Sequence, residues 1–206
     1  ALDLPNKINP DETPDTSSQL TSGSEGLRLI FLSRIAREKN LDYALRVLSK
    51  VDIKVVLDIY GPAVDAAYWK ECCALIRQLP VNVTVNYLDG VNPADVVHVF
   101  SRYDLFLFPT AGENYGHVIA ESLEAGTPVL VSTETPWRNL QTDGLGWDID
   151  LIQIDSFVKV IRGFALLSHN ERLKRRAIIK SKIMERLLDP SVIEANRQLF
   201  KKQLLS

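Results

Sequence analysis

The stretch from Pro109 to Ser132, P-T-A-G-E-N-Y-G-H-V-I-A-E-S-L-E-A-G-T-P-V-L-V-S, constrains the fold more than any other. An apolar strand, Leu105 to Phe108, runs into it, and Pro109 and Gly112 break that strand. The pattern predicts a short helix from about Gly116 to Ala125, closed by Gly126 as a left-handed cap. Pro128 leads into a second apolar strand, Val129 to Val131. Strand, loop, helix and strand in this order build a parallel sheet. The loop then lies at the carboxyl end of a strand, where open α/β sheets bind ligands. Two carboxylates, Glu113 and Glu121, flank the loop and the first turns of the helix.

The same alternation runs through the rest of the chain. Leu27 to Leu32 reads as a strand buried on both faces. A helix follows, about Leu41 to Lys50, with Leu41, Ala44, Leu45 and Leu48 on one face. Ile53 to Ile59 is the next strand, stopped by Gly61-Pro62. Asp65 to Leu79 reads as a helix with Trp69, Cys73, Ile76 and Leu79 at core spacing. Val81 to Tyr87 is a strand leading to the Asp89-Gly90 turn. Asn92 caps a helix that has Pro93 at its first position and ends near Tyr103. After Val131, Gly144 to Trp147 resembles a short last strand or turn. Asp155 is expected to cap a helix to Leu167, Asn170 one to Leu187, and Val192 to Leu204 forms a final amphipathic helix.

The predicted fold class is therefore α/β: a doubly wound parallel, Rossmann-like sheet flanked by helices, with further helices at the C-terminus. Residues 1–26, with Pro5, Pro10, Pro14 and a polar run, read as an irregular linker. Residues 27–187 form the main domain, and 188–206 a C-terminal helix. The chain has no initiating methionine, its one methionine being Met184, so an upstream part of the same protein is expected.

Several function classes are disfavoured. The net charge of −2 gives no global attraction for nucleic acid or an anionic membrane, so no nucleic-acid partner is expected. No apolar run reaches membrane-spanning length, and a cytoplasmic location is expected. The two cysteines, Cys72 and Cys73, are adjacent, which disfavours a disulfide between them and fits a reducing compartment. After the first strand there is no G-x-G-x-x-G, and elsewhere neither a P-loop nor a G-x-S-x-G elbow. His98, His117 and His169 do not stand at metal-ligand spacing, and the first strand ends in Ser33-Arg34 where a magnesium-binding receiver would carry acids. No metal and no cofactor are expected.

Three features point to a ligand. Arg34 and Lys39 follow the first strand and suit phosphate oxygens, although charges beyond a strand are more often simply solvated. The amides of Gly116, His117 and Val118 open a helix and favour an anion, although glycines are common at such connections. Glu121 suits the vicinal hydroxyls of a ribose and Glu113 a second polyol, against the plainer reading of a capping and a surface glutamate. Two cations, a helix N-terminus and two carboxylates together describe a pocket for a sugar nucleotide.

On these residues the chain resembles the retaining glycosyltransferases of GT-B fold, often called glycosyl transferases group 1. P-x-x-x-E-N-Y-G-H-V-I-A-E-S-L-E-A-G-T-P-V-L-V-S is similar to their E-x7-E signature, and S-R-I-A-R-E-K-N to their G-R-x-x-x-x-K-G phosphate motif. Gly61-Pro62, Asp89-Gly90-Val91 and Tyr103-Asp104-Leu105 follow the family's order, and T-P-W-R-N-L with G-W-D resembles one bacterial-type subgroup. Ser33 and Asn40 stand where the family usually has glycine. The resemblance spans about Leu27 to Leu167 and implies one half of a GT-B fold, the C-terminal, donor-binding half.

What the resemblance implies is specific. Arg34 and Lys39 would neutralise the donor diphosphate and, with Glu113 at the transferred sugar, form the catalytic set. Gly116, His117 and Val118 would hold the distal phosphate, Glu121 the ribose, and main chain near Val91 the base. Ser33, Gly61, Asn114 and Tyr115 complete the donor-binding set. The partners would be a nucleotide sugar and an acceptor domain preceding residue 1, onto which the last helix packs. Any membrane contact, at its inner face, would come through that other part. The implied setting is polysaccharide biosynthesis, and this half alone would be inactive. The competing readings are a non-catalytic nucleotide-binding module and a GT-B sugar-nucleotide epimerase. A phosphorylase would need a cofactor-lysine context that is not seen, and a purely structural adaptor leaves Arg34, Lys39, Glu113 and Glu121 without a common purpose.

Overall fold

The computed structural model describes residues 26–188. The expected linker at 1–26, except Gly26, and the final helix at 192–204 lie outside the described residues. Within them, β1 (Leu27–Leu32) pairs in parallel with β2 (Val55–Tyr60), and β2 with β3 (Val83–Tyr87). On its other side β1 pairs with β4 (Leu105–Phe108), β4 with β5 (Val129–Ser132), and β5 with β6 (Gly146–Ile149), all parallel. The strand order is β3-β2-β1-β4-β5-β6. The chain winds outward from β1 in one direction and resumes at β4 in the other. That reversal leaves a crevice at the carboxyl ends of β1 and β4, where ligands bind in such sheets.

Strands β4 and β5 are buried at every position, which is why both read as unbroken apolar runs. Phe106 stacks on Phe108 at 5.2 Å between ring centroids, and Phe31 meets Phe108 edge-on at 5.9 Å. Helix α1 (Leu41–Leu48) buries Leu41, Ala44, Leu45 and Leu48 as its periodicity requires. It packs against α2 (Ala66–Ile76) and α5 (Ile154–Ala165). A second group joins α4 (His117–Glu124) to α3 (Val96–Phe100) and α6 (His169–Leu188). Two groups of helices are what a doubly wound sheet needs, one for each face. Among the described residues no helix is long and apolar enough to cross a membrane.

The structure corrects three expectations. In α2 Cys73 is buried as expected, together with Tyr68 and Cys72, but Trp69 and Ile76 are only half-buried, as is Leu79 beyond the helix end, so the buried face is rotated by about one residue. Asp155 does not cap α5: Gln153 holds the cap position, and Asp155 lies in the first turn and pairs with Lys50 at 2.8 Å. Asn170 does not cap α6, because a capping box one turn wide does so. The Ser168 hydroxyl accepts from the Glu171 N–H at 3.3 Å, and the Glu171 carboxylate accepts from the Ser168 N–H at 2.8 Å. Asn92 does accept from the Ala94 N–H, with Pro93 opening a 3-10 turn ahead of α3.

Candidate functional site

Four loops meet at the carboxyl ends of the strands, and main-chain hydrogen bonds lock them together. After β1, Ser33 to Asn40 carries the cations. After β4, Pro109 to Gly116 carries Glu113. The Ala111 N–H donates to the Glu38 carbonyl at 2.8 Å, and the Thr110 hydroxyl reaches the same oxygen at 2.9 Å. The Glu113 N–H donates to Glu134 O at 3.1 Å, which ties in the loop after β5. The fourth loop follows β2 at Gly61, where φ is +126° and an added Cβ would stand 2.0 Å from Ser33 O. Only glycine allows that crossing. The Gly61 N–H donates to Asp89 O at 2.6 Å, so Gly61 also anchors the turn that leads to Val91.

Within this frame Lys39 and Glu113 form an ion pair of 3.0 Å, their side chains 12% and 19% exposed. The two residues stand on separate loops 74 positions apart, and the fold alone brings them together. The Lys39 ammonium also sits 5.8 Å above the Phe108 ring. Arg34 behaves differently. Its side chain is 63% exposed and lies 3.5 Å from Glu38, one helical turn's spacing away. The structure therefore sets Lys39, and not Arg34, against Glu113. Asn40 occupies the left-handed region at φ +55° and joins the 3-10 turn Arg37–Lys39 to α1. Asparagine is among the few residues besides glycine that adopt this conformation readily, which accounts for its presence there.

The N-terminus of α4 faces the same crevice end. Gly116 caps it at φ +76°. Among the described residues the N–H groups of Gly116, His117 and Val118 donate no hydrogen bond. They are the orphan donors of a helix start, and they sit at the positive end of its dipole. Asn114 and Tyr115 are exposed on the approach to it, with the Tyr115 ring 4.4 Å from that of His117. One turn further on, Glu121 is half-buried, and burial raises its pKa above the ordinary carboxylate range. Among the described residues no hydrogen-bond donor meets that carboxylate. Ser33 is half-buried beneath Gly61, and Val91 is half-buried in the loop after β3, joined to the rest through Gly61 and Asp89.

Trp137 and Asp148 are the residues that reasoning from side-chain chemistry passes over. The Trp137 indole N–H donates to Tyr115 O at 3.1 Å, and an added Cβ on Gly116 would lie 2.9 Å from that nitrogen. Asp148 on β6 accepts from the N–H groups of Asn139 and Leu140, at 3.2 and 2.9 Å. Their one sequence signal is the pair of short runs T-P-W-R-N-L and G-W-D.

The sequence profile described as Glycosyl transferases group 1 matches residues 13–182. Among curated proteins, the chain is 23% identical over 129 residues to the GtfA subunit of a UDP-N-acetylglucosamine–peptide N-acetylglucosaminyltransferase from Streptococcus pneumoniae serotype 4. That match covers 61% of the chain and 24% of the relative. It is 27% identical over 111 residues to the D-inositol 3-phosphate glycosyltransferase of Corynebacterium diphtheriae, covering 50% of the chain and 26% of that protein. The chain thus spans about a quarter of the length of these curated relatives. Of solved structures, Anabaena Alr3699/HepE in complex with UDP and glucose superposes with a TM-score of 0.69 at 17% identity. The superposition covers 88% of the chain and 49% of that protein. WaaG, a glycosyltransferase involved in lipopolysaccharide biosynthesis, superposes with a TM-score of 0.65 at 22% identity, covering 78% and 43%. The fold is that of one half of a GT-B glycosyltransferase.

Proposed function

The chain belongs to the glycosyl transferases group 1 family, and from that premise we propose that it is the donor-binding half of a retaining glycosyltransferase. Its substrate is a nucleotide diphosphate sugar, and the acceptor binds to another part of the protein. One observation carries the reading: the Lys39–Glu113 pair, the amides of Gly116 to Val118 and the Glu121 carboxylate, the last two without a hydrogen bond among the described residues, share one end of the sheet. Cation and amides suit the diphosphate, Glu121 the ribose hydroxyls, and Glu113 the transferred sugar.

In the reaction the bond between the anomeric carbon and the diphosphate oxygen breaks, and negative charge grows on that oxygen. Lys39 and the amides at the start of α4 meet the charge with dipoles already in place, and Arg34 adds its own from the rim. Glu113 orients the sugar as its ring gains positive charge. The acceptor hydroxyl then attacks from the face the leaving group has vacated and gives its proton to the departing diphosphate oxygen, which preserves the anomeric configuration.

The test is Lys39→Ala in the full-length enzyme. Turnover at saturating donor should fall about 100-fold or more, the loss typical of one oxyanion contact, with a much smaller change in donor KM. Turnover near the wild-type value would sink the assignment. UDP is the first nucleotide to titrate by calorimetry, because Alr3699/HepE and GtfA were both crystallised with it. GDP and ADP follow. Binding of one without sugar transfer would mark the chain as a nucleotide-binding half.

A further inference from the structure

We infer that Trp137 is a positioning residue for the distal phosphate of the donor, and that Asp148 holds Trp137 in place. The inference rests on the reading of the α4 N-terminus as the phosphate site. A phosphate gains from three amides only if they converge, and their direction is set by the peptide planes from Tyr115 onward. Among those planes, the Tyr115–Gly116 peptide is fixed from outside the helix. Its carbonyl accepts the Trp137 indole N–H at 3.1 Å. The same indole packs on the Cα side of Gly116, close enough that an added Cβ would lie 2.9 and 3.1 Å from its Nε1 and Cδ1. Trp137 therefore limits both the rotation of that peptide and the drift of the residue carrying the first free amide.

Trp137 can act in this way only if its own loop is rigid. The loop is pinned at both ends. On the near side the Trp137 N–H donates to the Thr135 hydroxyl at 3.3 Å, and Thr135 is buried. On the far side Asn139 takes a left-handed turn at φ +59°, and its N–H and that of Leu140 both donate to the Asp148 carboxylate. Asp148 is itself set by β6, in register with Val131 of β5. The two short runs T-P-W-R-N-L and G-W-D thus form one mechanical unit, running from the edge strand through the loop to the amides. Neither Trp137 nor Asp148 touches the donor in this account. Both act through Tyr115 and Gly116.

Two variants test the inference, read first without any ligand. Trp137→Phe keeps an aromatic ring but has no indole N–H, and Asp148→Ala frees the loop. In both, hydrogen exchange should quicken about fivefold, the equivalent of one neutral hydrogen bond, at the amides of Ile119 and Ala120. These donate to Gly116 O at 2.9 and 3.2 Å and report the first turn of α4. Exchange in β1 and β4 should stay unchanged. The second readout is the affinity for UDP against UMP, or the corresponding GDP and ADP pairs. Each variant should lose about fivefold for the diphosphate and keep its affinity for the monophosphate, since only the distal phosphate meets these amides. Unchanged exchange at Ile119 and Ala120, or equal losses for diphosphate and monophosphate, would overturn the inference. If the unaltered chain binds none of the diphosphates, the donor reading falls, and the exchange rates alone decide whether Trp137 braces the turn.

Discussion

In the proposed site, Glu121 is a residue that would trade stability for binding. Its carboxylate is half-buried with no hydrogen-bond donor among the described residues, and burial raises its pKa. A group whose pKa is raised by folding favours the fold while protonated and opposes it once ionised. Glu121→Gln should therefore raise the melting temperature slightly at neutral pH. The gain should disappear as pH falls through the raised value to below about 4.3, the unfolded glutamate pKa. The same variant should weaken nucleoside diphosphate binding. A melting temperature that drops at neutral pH would show that the carboxylate has a stabilising partner. Asn40 offers a second test at this scale. Because it already sits at φ +55°, Asn40→Gly should change unfolding free energy by less than about 0.5 kcal/mol. Asn40→Val should cost about 2 kcal/mol, since β-branched residues fit that region poorly. Urea denaturation separates the two. Lys39, Glu113 and Glu121 stand out in the sequence only as a set, since each alone reads as a solvated or capping charge. Trp137, Thr110 and Glu134 do not stand out, because each binds main-chain atoms of a loop distant in sequence, and such partners leave no trace in residue type.

Among the elements, α6 carries seven cations between Arg172 and Arg186, a composition that suggests a charged surface helix. The structure gives several of them a different task. Arg176 donates to Ser101 O and Tyr103 O, each at 2.6 Å, and so closes the C-terminal end of α3. Arg172 donates to Ala165 O and Leu167 O, each at 3.2 Å, at the end of α5, and pairs with Asp104 at 3.1 Å. Each binds one carbonyl at the end of its helix, Ser101 O or Ala165 O, of the kind a helix leaves unpaired, and one just beyond it. Arg176→Met should cost about 3 kcal/mol in unfolding free energy, from two charge-assisted hydrogen bonds. Arg176→Lys should recover only part of this, because one ammonium lacks the fork that reaches both carbonyls. A loss below about 1 kcal/mol for Arg176→Met would show that water replaces the guanidinium freely. The strands were readable because β4 and β5 are buried throughout and broken by proline and glycine. The phase of α2 was not, because Tyr68 is drawn inward by polar bonds. Its hydroxyl accepts from the Asp42 N–H at 3.0 Å and donates to the Asp42 carboxylate, and hydrophobic periodicity cannot register that.

For the molecule as a whole, the crossing at Gly61 is the point on which the loops depend. Gly61→Ala would place a Cβ 2.0 Å from the Ser33 carbonyl, a backbone clash that no rotamer relieves. The expected loss exceeds about 4 kcal/mol, seen as failure to reach the native melting transition. A well-folded Gly61→Ala protein would mean that the β1 and β2 loops can separate. The switch-point crevice itself followed from the order of strands and helices. What the sequence could not give was how the charges around that crevice pair. Arg34, Arg37 and Lys39, all the cations of the Ser33 to Asn40 loop, are each already matched to a carboxylate, Glu38, Glu71 and Glu113. Cations so matched present little field beyond a Debye length of about 8 Å at physiological ionic strength. On the proposed reading a diphosphate would then be captured by collision rather than drawn in from afar. The association rate of UDP in stopped flow should accordingly change less than about twofold between low and physiological salt, in contrast to the steep dependence of electrostatically steered encounters.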